Sequence, residues 1–248
     1  MKIADWRKIS SIDYPKKIST VIFTSECNYK CPACHAKNIL YSNELIPEQK
    51  ILDYIDFTNK EKKLIDAVVL CGGEPTLQLD LIYFAEKIKK MGFAIKLDTN
   101  GSRFAILQEL KESKLIDYVA MDVKGPRELY PNLVGREFLD RRDDYEKAIG
   151  IVSQFPDYEF RTTVVPVVRD SGEISFMTPE EIGETARLIY NCTGRDNHKY
   201  FLQKFVPREN GLLDSRLENF PETPTEILEK GKKEAMKYLP NCRIREYK

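Results

Sequence analysis

Short apolar, β-branched runs alternate along this chain with longer stretches of helical period, a pattern that places parallel strands inside a layer of helices. Six such runs stand out: Val21-Ile22-Phe23, Ala67-Val68-Val69-Leu70, Ala94-Ile95-Lys96-Leu97, Tyr118-Val119-Ala120-Met121, Thr162-Thr163-Val164-Val165 and Tyr200-Phe201-Leu202. Between them, Leu81, Ile82, Ala85 and Ile88 mark one apolar helix face, and Phe104, Leu107 and Leu110 mark another. A closed barrel of eight such units needs roughly 250 residues for the barrel alone. Here about 18 residues precede the first run and about 45 follow the sixth. The pattern therefore predicts an α/β fold, an open, partial (βα)6 TIM-like barrel. No linker divides the chain, which reads as a single domain over 1–248: an N-terminal extension at 1–18, the barrel at 19–205 and a C-terminal extension at 206–248.

Each run ends in polar or glycine-containing sequence: Thr24-Ser25, Cys71-Gly72-Gly73-Glu74, Asp98-Thr99-Asn100-Gly101 and Asp122-Val123-Lys124. Parallel βα units gather such ends on one face, where barrel enzymes build their sites. Residues far apart in sequence are thus expected to converge.

Composition narrows the class. With 42% hydrophobic and 31% charged residues, a chain of 248 residues can bury a sizeable core. It has no apolar run long enough to span a bilayer, and its start lacks the apolar stretch of a secretion signal, so the expected location is the cytoplasm and no membrane partner is expected. Thirty-nine basic residues balance 39 acidic ones. Nothing in that balance attracts a polyanion, and nucleic acid is not expected as a partner. Of the six cysteines, three crowd into positions 27 to 34, and a local cluster in an intracellular chain suggests metal rather than disulfides.

Thiolates are the usual ligands of iron–sulfur clusters, and a cubane needs them on a tight loop. Cys27, Cys31 and Cys34 give such a loop but only three ligands, which leaves one iron free to bind something else. The alternative is zinc, completed by His35 or a distant cysteine. Zinc sites pair two short-spaced ligands with a second pair elsewhere, and the adjacent Cys34 and His35 are poorly placed to reach one tetrahedral ion. Three cysteines at this spacing directly after the first strand resemble the radical S-adenosylmethionine (SAM) superfamily. That resemblance implies a [4Fe–4S] cluster whose open iron chelates SAM, and reductive cleavage of SAM to a 5′-deoxyadenosyl radical that abstracts a hydrogen atom. The residue before the third cysteine is usually aromatic in that superfamily and is Ala33 here, so adenine stacking falls to other side chains, Tyr29 or His35.

Gly72-Gly73-Glu74-Pro75 would by itself be a common turn. One βα unit after the cysteine loop, it resembles the superfamily motif that binds the SAM amino group, with Glu74 as a carboxylate acceptor. Asp98-Thr99-Asn100-Gly101 alone reads as an Asx-type turn. The same signature contacts the SAM region in the glycyl-radical-enzyme activating enzymes, which this chain resembles most. In the activating enzyme of pyruvate formate-lyase, its aspartate and threonine help hold a monovalent cation, and Asp122 matches the second aspartate of that site. Two converging carboxylates need a shared cation or proton in any case. Lys124 reads either as a surface lysine or as a partner for the SAM carboxylate. Arg161 resembles the fifth-strand arginine of the activating enzymes, and an arginine pointing into a barrel needs an acidic partner. Cys71 reads as a small buried residue.

Trp6 to Pro15, Leu97 to Gly101, Ala120 to Pro126 and Leu202 to Phe205 are similar to the activating proteins of anaerobic ribonucleoside-triphosphate reductase. The resemblance implies a protein substrate, a glycine of a glycyl-radical enzyme such as that reductase, and an electron donor such as ferredoxin or flavodoxin. Two alternatives stay open: a radical SAM enzyme modifying another peptide, an RNA base or a metabolite, and a non-catalytic metal-binding module. The segment 125–144 follows Lys124 at the active face and mixes Tyr130, Arg136, Phe138, Arg141 and Arg142, types enriched at interfaces, so it reads either as a long docking loop or as a plain surface connection or short helix.

Overall fold

The six apolar runs all become strands. In the computed structural model, which describes residues 1–59, 64–135, 142–207 and 211–245, they lie in β2 (Lys17–Thr24), β3 (Ala67–Gly72), β4 (Ala94–Thr99), β5 (Tyr118–Asp122), β6 (Tyr158–Val164) and β9 (Tyr200–Lys204). These pair in parallel in that order. Two further strands extend the sheet: β1 (Ile3–Tyr14), antiparallel to β2, and β10 (Cys242–Ile244), parallel to β9. Among the described strands β1 and β10 end the sheet at opposite edges and do not pair with each other, so the barrel is open.

Helices follow the strands: α1 (Lys37–Leu40), α2 (Glu48–Phe57), α3 (Leu81–Lys90), α4 (Phe104–Glu112), α5 (Tyr130–Val134), α6 (Arg142–Val152), α7 (Pro179–Thr193) and α8 (Thr225–Ala235). A small hairpin of β7 (Pro166–Val168) and β8 (Ile174–Phe176) sits between β6 and α7. Local chemistry marks the boundaries of α7. Thr178 and Glu181 form a capping box, Pro179 occupies the first turn, and Gly194 ends the helix with φ of 66°.

The main core lies between one face of the sheet and the helices, where Leu70, Leu97, Met121 and Phe160 meet Phe84, Ile88, Leu107 and Ile149. Alternate residues of the same strands, Val69, Tyr118 and Ala120, turn to the inner face and pack with Tyr14. The expected stripe on α3 is present with Phe84 buried in place of Ile82, which is only half-buried.

Two expectations change. The first residues are largely strand β1 rather than a plain extension. The segment after Lys124 is not one long loop, since α5 forms there and α6 begins at Arg142. Tyr130, expected at an interface, is buried instead, its hydroxyl donating to Tyr29 at 3.1 Å and its ring 4.3 Å from that of Tyr145. Arg136, Phe138 and Arg141 lie outside the described residues, as does the side chain of Arg142. No helix among the described residues is long and apolar enough to cross a membrane.

Candidate active site

The carboxyl ends of β2 to β6 surround a cavity of about 470 Å³, within the size range of cofactor pockets. Cys27, Cys31, Cys34, Gly72, Gly73, Asp98, Thr99, Asn100, Asp122, Lys124 and Arg161 all line it. Eleven of the twelve residues singled out from the sequence thus converge. Glu74 does not line it.

The cysteine loop is held by backbone. Gly73 N donates to Thr24 O at 2.8 Å, Glu74 N to Glu26 O at 2.8 Å, and Lys30 N to Val134 O of α5 at 2.9 Å. The glycine pair makes this contact possible. A Cβ on Gly72 would lie 2.4 Å from Thr24 N, and one on Gly73 would lie 1.8 Å from Glu26 O. The close approach that demands glycine here is therefore strand end to cysteine loop.

Glu74 is fully buried and its acceptor sites face inward. Oε1 accepts from Thr76 N at 3.1 Å and from the Thr99 hydroxyl at 2.8 Å, and Oε2 accepts from Asn100 N at 2.7 Å. Burial pushes this carboxyl up, against the pull of those hydrogen bonds. Glu74 thus clasps the end of β3 to the end of β4 instead of facing the cavity as an acceptor.

The inner faces of β4, β5 and β6 carry a ladder of charge. Arg161 donates from Nη1 to Asp98 Oδ2 and from Nε to Asp122 Oδ1, both at 2.9 Å. Lys124 donates to Asp122 Oδ2 at 3.0 Å, and Lys96 donates to Asp98 Oδ1. Burial alone would raise both carboxyls, but Arg161 and the lysines outweigh it and hold Asp98 and Asp122 below their ordinary range. The same acids push the Lys124 ammonium and the Arg161 guanidinium up against the cost of burial. Arg161 thus bridges the two converging carboxylates.

The sequence reading missed Lys96. Its signal was present: it stands two residues before Asp98 on a strand, and therefore on the same face. Cys71, read as simply buried, is half-buried and lines the cavity. Tyr29 and His35 both line it too, His35 stacked on Phe205 at 5.5 Å.

The donor set fits an iron–sulfur cluster. Among the described residues, no three His, Cys, Asp or Glu side chains gather closely enough to hold a single metal ion. Three thiols that share a cavity without meeting at one point suit separate corners of a cubane better than one tetrahedral zinc. Cys27 accepts from Tyr29 N at 3.4 Å and Asn100 Nδ2 at 3.6 Å, and Cys34 from Ala36 N at 3.4 Å. Beside Cys27, Asn28 Nδ2 is buried with no protein partner, a donor left for a further acceptor. As free thiols, burial pushes Cys27 up to about 11 and Cys31 up to about 12, so cluster binding must release their protons.

Residues 21–189 match the radical SAM superfamily. The chain belongs to that superfamily, whose members carry a [4Fe–4S] cluster and use SAM. It is 36% identical over 247 residues to a protein of Methanocaldococcus jannaschii that bears the provisional name glycyl-radical enzyme activating enzyme, a match covering 96% of this chain and 92% of the relative. Among solved structures, SuiB of Streptococcus suis bound to S-adenosylmethionine superposes with a TM-score of 0.63 at 13% identity. That match covers 89% of this chain and 48% of SuiB, so the chain spans about half of SuiB. A radical SAM methyltransferase from Sphaerobacter thermophilus superposes with a TM-score of 0.63 at 15% identity, covering 94% of this chain and 67% of that one. These likenesses establish the partial-barrel fold.

Proposed function

We propose that this radical SAM enzyme activates a glycyl-radical enzyme. The observation that carries the reading is the convergence of three cysteine thiols, a glycine turn and a cationic ladder on one cavity at the mouth of an open sheet. An unclosed sheet leaves a flank through which a loop of another protein can enter, and the full-length likeness to the named M. jannaschii protein supports a protein substrate.

In this reading Cys27, Cys31 and Cys34 hold the cluster, while Gly72, Gly73, Thr99, Asn100, Lys124 and Arg161 frame SAM. Asp98 and Asp122 orient Arg161 and Lys124 toward the SAM carboxylate, and Glu74 keeps the turn and the Thr99-Asn100 backbone in register. Bound together, cluster and SAM would supply hydrogen-atom abstraction: one electron from a ferredoxin or flavodoxin would break the SAM sulfur–C5′ bond, methionine would leave, and the 5′-deoxyadenosyl group would take the α-hydrogen of a glycine. The whole chain acts as one unit in a reducing, anaerobic cytoplasm.

The test is anaerobic incubation of the reconstituted protein with SAM, reductant and the glycyl-radical enzyme of the same organism, grown with α-deuterated glycine. The expected result is a glycyl radical signal in the partner and deuterium in the 5′-deoxyadenosine formed. Formation of 5′-deoxyadenosine with neither partner radical nor deuterium would overturn the substrate assignment and point to another peptide, an RNA base or a metabolite.

A further inference from the structure

We propose that Lys96 is a built-in counter-ion of this cavity, a positioning residue whose ammonium takes the place on Asp98 that a free Na⁺ or K⁺ would otherwise fill. The consequence is a SAM site that needs no monovalent cation. The proposal rests on the reading of the cavity as the SAM site.

Lys96 is only 4% exposed, on the inner face of β4 and one alternation below Asp98. Burying an ammonium this deeply is costly unless an acid pairs with it. Its ammonium donates to Asp98 Oδ1, while Arg161 takes Asp98 Oδ2 at 2.9 Å and Asp122 Oδ1 at 2.9 Å, and Lys124 takes Asp122 Oδ2 at 3.0 Å. Each of the four carboxylate oxygens therefore already faces a protein cation.

Charge counting gives the same answer. Within the ladder, Lys96, Arg161 and Lys124 stand against Asp98 and Asp122, one positive charge in surplus, while Asp13 adds a further acid to the cavity wall. Without Lys96 the ladder is neutral, and Asp98 Oδ1 loses its partner in a partly dehydrated setting where opposite charges attract strongly. Such an oxygen recruits a small cation from solution, which restores the surplus. A bulky cation such as choline cannot enter to do so.

The experiment compares wild type, Lys96→Met and Lys96→Arg in NaCl, KCl and choline chloride at one ionic strength. SAM affinity is measured on the reconstituted proteins and the thermal midpoint on the cluster-free chains. Wild type and Lys96→Arg are expected to bind SAM within about twofold in all three salts. Lys96→Met is expected to bind roughly tenfold or more weakly in choline and to recover most of the loss in Na⁺ or K⁺. Its cluster-free midpoint should rise with Na⁺ or K⁺ relative to choline, and that of wild type should not. A wild type that requires Na⁺ or K⁺ for SAM binding overturns the proposal whether or not Lys96→Met folds, as does a Lys96→Met loss equal in all three salts. If the midpoint difference holds but no protein binds SAM in any salt, the reading of the cavity fails and the counter-ion stands.

Discussion

Asp122 carries the pH dependence expected of the site. Its carboxyl and that of Asp98 lie below the ordinary 3.8, so each binds its proton more weakly in the fold than in the unfolded chain. Each therefore stabilises the fold when ionised. That contribution is complete at neutral pH and drains away as pH falls below about 4 through the lowered values. Asp122→Asn, which leaves Arg161 and Lys124 short of an acid, should cost on the order of 2 kcal/mol at pH 7. The gap to wild type should narrow steadily below pH 4 in urea titrations; a gap independent of pH would contradict the ladder. Much of this residue-level chemistry was legible, because the aspartates fall at strand ends and Arg161 within a strand, on faces that alternation assigns. Glu74 was read from its place beside the glycine turn. Only the fold reveals that Thr76, Thr99 and Asn100 donate to its oxygens.

At the scale of elements, the end of β3 fastens the cysteine loop, and glycine is the device that lets it do so. Gly73→Ala should therefore cost about 2–3 kcal/mol and also reduce iron retained after reconstitution, because the added Cβ meets backbone that cannot move aside. Gly92→Ala is the control. Its φ of 89° makes alanine strained, at a cost of about 1 kcal/mol, but nothing lies within 4 Å and iron content should be unchanged. Denaturant titrations with iron analysis check both, and wild-type stability and iron content in Gly73→Ala would sink the argument. Six parallel strands were readable because their short apolar, β-branched runs stand out between stretches of helical period. Strand β1 escaped because its Arg7-Lys8-Ile9 and Ser11-Ile12 positions are mostly exposed and its pairing with β2 is broken by register shifts. Strand β10 is three residues long, and α5 is a short helix inside what composition marks as loop. That helix matters, since it braces the cysteine loop through Val134 and Tyr130.

For the whole molecule, the open sheet sets the cofactor cavity at one end of the strands, and among the described strands β1 and β10 leave a flank where they do not pair. The fold class followed from the alternation of runs and helical stretches, and the cavity from the rule that parallel strands gather their carboxyl ends. The identity of the substrate was not legible in the same way, because partner recognition rests on surfaces rather than on spacing. The central claim is that Cys27, Cys31 and Cys34, and not Cys71, hold the cluster that supports SAM cleavage. It is tested most directly by chromatography of 5′-deoxyadenosine after reconstituted wild type, Cys31→Ala and Cys71→Ala proteins are incubated anaerobically with SAM and dithionite. The account predicts product from wild type and from Cys71→Ala, and none from Cys31→Ala. Product from Cys31→Ala, or loss of both product and iron in Cys71→Ala, would contradict it.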